Sequence, residues 1–360
     1  MMRFKRAVID SHMHLYHWYD EDGTDFISQI DAFIDRFGFK SINLCGIPVH
    51  GCDVSNNIMC AIYKIHNPDA YAYGGLVYPA FPVSVPLPDG MDATTQYNEL
   101  MEVGFDGIKL LETKPLEYKM VSMPFTDPFY AGLFSQAEKD YTPFIWHVAD
   151  PESFWDREKI PVRFIERGWF YGDGAYPSLE KIYNDVFTIL DRHPCLKIQF
   201  AHFFFWADYP DKLASLFAKY PNVNIDIVPG AEMYDTFEKN HDFYKDFFLR
   251  YSKRIVYGSD VSFTVRDPKY SMEHYARLTE AIYNSMTTDQ TVSIYTARCR
   301  GFSLNEDACN NIFHDNFLRE CSEKPKTINR KALRRYIDKY AHQIRNMSEK
   351  REILHFSATL

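Results

Sequence analysis

Eight short apolar runs rich in β-formers recur along this chain, with helical patterns between them. Strands that alternate with helices in this way are typical of α/β folds with parallel strands. Several of the runs lack an in–out alternation of polarity, as expected for strands that are covered on both faces. The predicted strands span residues 7–10, 41–45, 71–78, 107–111, 144–147, 197–202, 223–228 and 255–260.

Helix boundaries are clearest at three places. Apolar residues at helical spacing over 26–37 end at Gly38, a residue type that closes helices in the left-handed conformation. A second apolar stripe over 179–190 follows Ser178, which suits a helix N-cap. The sequence Ser303-Leu-Asn-Glu306 predicts a capping box that opens another helix.

Eight strands alternating with helices predict a (β/α)8 barrel, the TIM-barrel arrangement of the α/β class. An open doubly wound sheet is the competing architecture, but it favours a glycine-rich phosphate loop after the first strand, where this chain has histidines. The sequence contains no repeat, low-complexity tract or flexible linker. We therefore expect one barrel over residues 1–323 and a charged helical extension over 324–360 that packs on it.

Composition excludes several classes of protein. A formal net charge of −9 argues against a nucleic-acid binder, because phosphate affinity comes from clustered lysines and arginines. No apolar run is long enough to span a bilayer, and the apolar segment after the basic N-terminus ends at Asp10, too early for a signal peptide. The seven cysteines include no Cys-x-x-Cys pair, which favours free thiols and a cytoplasmic protein.

Metal-binding residue types stand where predicted strands end. His12 and His14 follow the first strand and, being two residues apart, project to the same side of it. His147, His202 and Asp260 end the fifth, sixth and eighth strands, and barrel active sites lie at these C-terminal strand ends. Three histidines and one aspartate from strands one, five and eight suit zinc or a similar divalent ion, which leaves His202 to act on the substrate.

At this point the chain resembles the amidohydrolase superfamily, and within it the branch of aminocarboxymuconate semialdehyde decarboxylase and related metal-dependent hydrolases. The resemblance covers residues 7–320. The matching segments are Asp10-Ser-His12-Met-His14, Gly107-Ile-Lys-Leu, Trp146-His147, Phe200-Ala-His202-Phe, Lys219-Tyr-Pro-Asn-Val-Asn-Ile-Asp226, Tyr257-Gly-Ser-Asp260 and Ile312-Phe-His-Asp-Asn316.

The resemblance implies a ligand set and a role for the sixth-strand histidine. His12, His14, His147 and Asp260 match ligands of one divalent metal, with Zn²⁺ favoured and Mn²⁺ as the alternative. His202 matches the histidine that activates water or polarises the substrate.

Two further residues are candidates for the metal site. In members with two metals, a carbamylated lysine on strand four bridges the ions. Lys109 lies on that strand but three residues before its apparent end, and an interior lysine paired with a carboxylate is the favoured interpretation. Glu112 is better placed at the rim, where it is either a site residue or a solvated loop residue.

The leading functional hypothesis is metal-assisted hydrolysis of a small organic substrate. Asp260 would bind the metal through one oxygen and accept a proton from water at the other, and His202 would stabilise an oxyanion or assist proton transfer. Non-oxidative decarboxylation with the same ligands is the closest alternative, and a non-catalytic binding barrel and a metal-free lactonase stay open. Decarboxylation needs cations for the substrate carboxylate, and the candidates are Arg157, Arg163, Arg167 and Arg266.

Loops at the mouth of the predicted barrel are expected to set specificity. The long connection between strands five and six contains aromatic residues over 154–174 that would form a lid, a contact between copies, or a cover for apolar surface. His50 and Cys52 follow strand two and can reach the mouth. We expect a small-molecule substrate, no nucleic acid or membrane partner, and an oligomer as a further option.

Overall fold

The computed structural model describes residues 2–50, 52–78, 91–230 and 232–360. Its strands are β1 (Ile9–Leu15), β2 (Ser41–Cys45), β3 (Tyr71–Gly75), β4 (Gly107–Thr113), β5 (Pro143–Val148), β6 (Lys197–Phe200), β7 (Val223–Asp226), β8 (Ile255–Val256), β9 (Val261–Phe263), β10 (Thr291–Ile294) and β11 (Ala297–Arg300). The helices are α1 (Phe26–Phe37), α2 (Ser55–His66), α3 (Ala93–Val103), α4 (Pro115–Val121), α5 (Leu133–Lys139), α6 (Val162–Ile165), α7 (Leu179–Arg192), α8 (Pro210–Lys219), α9 (Met233–Lys239), α10 (His241–Arg250), α11 (Met272–Thr287), α12 (Glu306–Asn310), α13 (Asn316–Glu320), α14 (Arg330–Tyr340) and α15 (Met347–Ser357).

The parallel sheet closes into a barrel through an interrupted eighth strand. Its order is β8-β7-β6-β5-β4-β3-β2-β1-β9, where β8 lies within the predicted strand 255–260 and β9 follows directly after it. At the interruption, Ser11 N donates to Tyr257 O (3.1 Å), and Asp260 N donates to His12 O (2.8 Å). Backbone hydrogen bonds therefore join the first strand to the eighth, and the predicted (β/α)8 fold is confirmed.

All eight predicted strands are present, with two instructive differences in their bounds. β1 continues to Leu15, so His12 and His14 lie within the strand and not after it. Of the predicted strand 255–260, only Ile255–Val256 is paired as β8, and pairing resumes beyond it with β9 at Val261. The intervening residues leave the sheet and place Asp260 where a regular strand would not.

The helix predictions are confirmed at two of three sites. Gly38 ends α1 with φ 71°, and the Ser178 side chain accepts a hydrogen bond from Lys181 N at the start of α7. The predicted capping box at Ser303 is wrong. The N-cap of α12 is Asn305, whose side chain accepts from Ala308 N, so the helix begins later than the motif indicates.

A small apolar cluster fills the N-terminal end of the barrel. Phe317 of α13 packs there against the rings of Tyr71 and Tyr73, at centroid distances of 4.9 and 6.4 Å. Ile9, Ile145 and Val256 belong to the same buried cluster. The interior at this end is therefore filled by apolar side chains, whereas the predicted site residues lie toward the opposite end.

The C-terminal residues form the expected helices α14 and α15, which pack against α2 and α3. Glu349 of α15 is buried and accepts hydrogen bonds from His17 Nδ1 (2.9 Å) and Ser55 Oγ (3.2 Å), which attaches this helix to the loops after β1 and β2. The division into a barrel at 1–323 and an extension at 324–360 stays a prediction. Within the described residues, no helix combines the length and apolar character needed to cross a bilayer.

Glu320, at the end of α13, predicts a pH dependence of stability. It is 4 % exposed, and burial raises its pKa to about 8. Between the ordinary value of 4.5 and pH 8, the folded chain keeps a proton that the unfolded chain releases, so stability falls as the pH rises through this window. We expect Glu320→Gln to remove this decline and to raise stability at pH 8 by on the order of 2 kcal/mol.

Urea unfolding of both proteins across this pH range measures the effect. Parallel stability curves for the parent and Glu320→Gln would show that the Glu320 carboxyl titrates normally in the fold.

Candidate metal centre

The tautomers of the two first-strand histidines are fixed by their hydrogen bonds. His12 Nδ1 lies 3.0 Å from Asp226 Oδ2, and His14 Nδ1 lies 2.8 Å from the carbonyl oxygen of Cys45. A carboxylate and a carbonyl can only accept, so both Nδ1 atoms carry the hydrogen. Both Nε2 atoms therefore keep a lone pair, the arrangement found in metal-ligating histidines that are oriented by an outer acceptor.

The carboxylate of Asp260 lies close to both of these lone pairs. Its Oδ1 lies 3.2 Å from His14 Nε2 and 3.9 Å from His12 Nε2, and one ligand atom from each of the three residues lies within 4.8 Å of the others. Lone pairs that face each other this closely repel unless a cation or a hydrogen-bond donor lies between them, and here Lys109 Nζ lies 2.7 Å from His12 Nε2. Two imidazole nitrogens and a carboxylate oxygen are a donor set for zinc and similar ions, so these residues fit a divalent cation.

The protonation states of His12, His14 and Asp260 are those that metal binding requires. Burial lowers the pKa of His12 well below its ordinary value and also lowers the pKa of His14, so both rings are neutral. The pKa of Asp260 lies well below its usual range although burial alone would raise it, so this residue is a carboxylate. Metal ligands must be deprotonated, and all three residues are.

The local sequence explains how Asp260 reaches this position. A Cβ atom on Gly258 would lie 2.9 Å from His12 Cβ, so only glycine lets the eighth strand approach β1 so closely. Asp10 Oδ1 accepts from His12 N (3.1 Å) and Ser259 N (3.2 Å), which holds the two chain segments side by side. Asp260 itself has φ 59°, a left-handed conformation that residues other than glycine rarely adopt.

Asp226, at the end of β7, supports the site but was not singled out from the sequence. Besides its contact with His12, it accepts from Gln199 Nε2 (2.9 Å) and from the backbone N of His202 (2.7 Å). Burial raises its pKa to about 6. The one available signal was an aspartate at the end of a predicted buried strand. This residue orients both a ligand candidate and the sixth-strand histidine.

His147 and His202 face each other beside the three-residue group. His147 Nε2 lies 2.9 Å from the Ala149 carbonyl and so carries the hydrogen, and its Nδ1 accepts from His202 Nε2 at 3.1 Å. His202 Nδ1 is left as a buried lone pair with no partner among the described residues. Burial lowers the pKa of His202 to about 4. The group that can share one ion does not include His147, whose role as a ligand stays a prediction.

Lys109 lies at the site, whereas Glu112 faces away from it. Lys109 Nζ is 2.7 Å from His12 Nε2, so it contacts a histidine and not the carboxylate that the sequence suggested. Burial lowers the pKa of Lys109. Glu112 is 2 % exposed, so a solvated loop residue is the wrong interpretation. Glu112 accepts from Tyr78 OH (3.0 Å), burial raises its pKa to about 7, and it does not line the cavity described next.

A cavity of about 650 Å³ lies at the C-terminal end of the barrel. Its base is lined by His12, His14, Lys109, His147, His202 and Asp260. The aromatic segment 154–174, for which a lid was one of three predictions, provides one wall, with Phe154, Arg163, Phe164, Arg167 and Trp169. A β10–β11 hairpin, which the sequence analysis missed, brings Tyr295 and Thr296 to the mouth. Its turn contains no glycine although Tyr295 has φ 52°, so the usual hairpin signal is missing.

The other rim candidates divide into two sets. His50, Arg163 and Arg167 line the cavity, as the sequence allowed. In the part of the chain that the structure describes, Cys52, Arg157 and Arg266 do not.

Solved structures share this fold at low sequence identity. An uncharacterized TIM-barrel protein from Bordetella bronchiseptica is 13% identical, with 88% of this chain and 98% of that chain covered at a TM-score of 0.55. A 2,6-dihydroxybenzoate decarboxylase, complexed with 2,6-dihydroxybenzoate, is 14% identical, with 88% and 99% covered at 0.51. An amidohydrolase from Burkholderia multivorans with bound zinc is 13% identical, with 89% and 100% covered at 0.50.

These likenesses show the barrel fold that the sequence resemblance implied. No protein-family model matches the chain, and a search of the curated proteins gives no match.

Asp226 provides a test of the centre that does not alter any ligand candidate. Asp226→Asn weakens the acceptor that fixes His12 Nδ1–H, and we expect metal affinity to fall by about 10–100-fold, the usual effect of losing such an outer partner. Zinc titration against a competing chelator measures it.

The matched control is Glu320→Gln, which also changes a buried carboxyl to an amide but at the opposite end of the barrel. Equal affinity in the parent and Asp226→Asn would show that His12 does not depend on Asp226 for its orientation.

Proposed function

We propose that this protein is a metal-dependent hydrolase of a small organic substrate. The observation that carries the proposal is the approach of His14 Nε2 and Asp260 Oδ1 to 3.2 Å with both lone pairs facing inward, at the base of a cavity of ligand size. The barrel fold, shared with solved amidohydrolase and decarboxylase structures, is consistent with it. Fold alone does not determine activity, so the residues of the centre are the basis of the proposal.

His12, His14 and Asp260 would hold one divalent ion, which we propose to be zinc, with His147 as the remaining protein ligand. A divalent ion in such a site lowers the pKa of water and polarises a carbonyl group. The outer contacts of His12 with Asp226 and of His14 with Cys45 keep both Nε2 atoms aimed at the same point.

Two residues would move protons. Asp260 presents Oδ1 to the histidines, which leaves Oδ2 to accept a proton from water. His202 Nδ1 has a lone pair and no partner among the described residues, so it accepts a hydrogen bond from substrate or water before it can donate one. His202 Nε2 donates to His147 Nδ1, and His147 would exchange this hydrogen bond for the ion when it acts as a ligand.

Non-oxidative decarboxylation of a small carboxylic acid is the alternative, because it uses the same ligands with the proton delivered to carbon instead of taken from water. A solved decarboxylase shares the fold, and Arg163 and Arg167 at the cavity offer charges for a carboxylate. The two reactions differ in product, so assays of ester or amide cleavage and of carbon dioxide release separate them.

Several finer expectations stay predictions: zinc over manganese, a cytoplasmic location, an oligomer, and no nucleic-acid partner. All seven cysteines are free thiols, consistent with a reducing compartment.

Metal content is the decisive measurement. We expect about one zinc or similar ion per purified chain, and we expect Asp260→Ala to lose that ion together with at least about 100-fold of the activity found in a substrate screen. Asp267→Ala is the matched control, since Asp267 lines the same cavity but lies outside the three-residue group.

A folded parent that holds no metal and refuses added zinc would contradict the proposal. The metal-free lactonase and the non-catalytic binding barrel would then be the remaining interpretations. Metal retained with no turnover of any substrate in the screen would favour the binding barrel.

A further inference from the structure

A histidine and a buried carboxylate that the proposed function does not use meet at the wall of the cavity. His50, in the turn after β2, lines the cavity, and its backbone N donates to the Ile47 carbonyl (3.0 Å). Its Nδ1 donates a hydrogen bond to Oε1 of Glu117, in the first turn of α4. The two residues, called here the His50–Glu117 pair, come from different strand–helix units, so the fold brings them together.

The Glu117 carboxylate lies behind the cavity wall. Its side chain is 1 % exposed, and it does not line the cavity itself. Its Oε2 is buried and has no hydrogen-bond partner among the described residues. The N-terminal turn of a helix favours negative charge, which suits a carboxylate at this position. Glu117 therefore offers His50 a charge that few other groups share.

The contact with Glu117 fixes the tautomer of His50. A carboxylate can only accept, so His50 Nδ1 carries the hydrogen and Nε2 keeps its lone pair. The ring of Tyr16 meets the His50 ring edge-on, with centroids 6.5 Å apart at 73°. His50 Nε2 is bonded to no residue that the structure describes and is not enclosed, since the side chain is 34 % exposed and lines the cavity. Its lone pair is therefore accessible to a ligand.

This arrangement suits nucleophilic attack by His50. Histidine is one of the side chains that form covalent intermediates, and an adjacent group that orients it makes it effective. Attack by Nε2 on an acyl carbon makes the ring positive, and a carboxylate at Nδ1–H stabilises that charge, as in hydrolytic triads. Because Glu117 is buried, water weakens this stabilisation less than it would at the surface.

We propose that His50, positioned by Glu117, is a nucleophile toward small activated acyl esters, and that this activity needs no metal ion. Nε2 bonds to the acyl carbon, and the bond from that carbon to the leaving oxygen breaks with its electron pair on the oxygen. Water then adds to the acyl carbon, and the carbon–nitrogen bond breaks with its pair returned to Nε2. The two protons of water pass to solvent, and the products are a carboxylate and an aryloxide.

Two other histidines each share one property with His50 and provide matched controls. His17 Nδ1 lies 2.9 Å from Oε1 of the buried Glu349 and its side chain is 35 % exposed, but it does not line the cavity. His274 lines the cavity and stacks on Tyr295, but no carboxylate contacts its ring within the part of the chain that the structure describes. His50 combines the cavity with the carboxylate.

The probe is p-nitrophenyl acetate, and release of p-nitrophenolate is followed at mildly alkaline pH, where imidazole is neutral. The proteins are the parent, His50→Gln, Glu117→Gln, and the controls His17→Gln and His274→Gln. Each is assayed metal-loaded and after chelation, and thermal unfolding checks its fold. His50→Ala is assayed with and without added imidazole, which can replace the missing ring.

We expect His50→Gln to lose at least about tenfold of the parent's rate above buffer, with and without metal, and both controls to stay within about twofold. Glu117→Gln should lose a similar factor, because a neutral amide does not stabilise the charged ring. Imidazole should restore activity to His50→Ala but not to His50→Ala/Glu117→Gln. Acid quenching during turnover should give one acetyl group on the peptide that contains His50.

A parent no faster than His50→Gln, or an equal loss in either control, would overturn the inference. Activity that appears only after chelation would also overturn it, because the histidines at the base of the cavity would then be the nucleophiles. So would a folded His50→Ala that imidazole does not restore, and this arm decides even if Glu117→Gln does not fold. The chelated assay does not need the metal, so failure of the metal proposal and failure of this one are distinguishable.

Discussion

The site depends on one close contact, between the interrupted eighth strand and β1. Gly258 permits the approach, since any side chain there would overlap His12. Asp10 accepts from the backbone on both sides of the gap, and the bond from Asp260 N to His12 O completes the pairing. The same few bonds close the barrel and place a carboxylate against two imidazoles. The contacts that close the barrel therefore also assemble the candidate metal centre.

A second constraint is that the interior of the barrel is polar at one end and apolar at the other. Phe317 and its neighbours fill the N-terminal end, whereas buried carboxylates and imidazoles at the opposite end hydrogen-bond to one another. Asp226 provides several of these hydrogen bonds, because its two carboxylate oxygens accept from His12, Gln199 and His202. Burial makes unpaired polar atoms costly, so these bonds fix ring orientations that water would otherwise leave free.

The sequence predicts the barrel and the His12, His14 and Asp260 group because both follow from local rules. Alternating strands and helices give the fold, a two-residue spacing puts two histidines on one side of a strand, and strand ends meet at one rim. The role of Asp226 was not predictable, because its contact with His12 joins residues 214 positions apart. The tautomers of His147 and His202 also depend on a contact between residues far apart in the sequence. The burial of Glu112 was not predicted, because it depends on Tyr78 from another strand–helix unit.

Chemistry and recognition are carried by different parts of the chain, and this limits what fold similarity can say. The candidate ligands sit on the strands and their ends, which the barrel makes rigid and which other barrels of this architecture can share. The cavity walls come from the segment around Trp169 and from the hairpin that carries Tyr295, both of which are added to the barrel between its regular elements. Loop additions vary independently of a scaffold, so the barrel fold shared with solved structures at 13–14% identity does not describe the mouth of this cavity. The shared barrel therefore does not indicate the substrate class, because Arg163, Arg167 and the rings they contact belong to this chain's own loops.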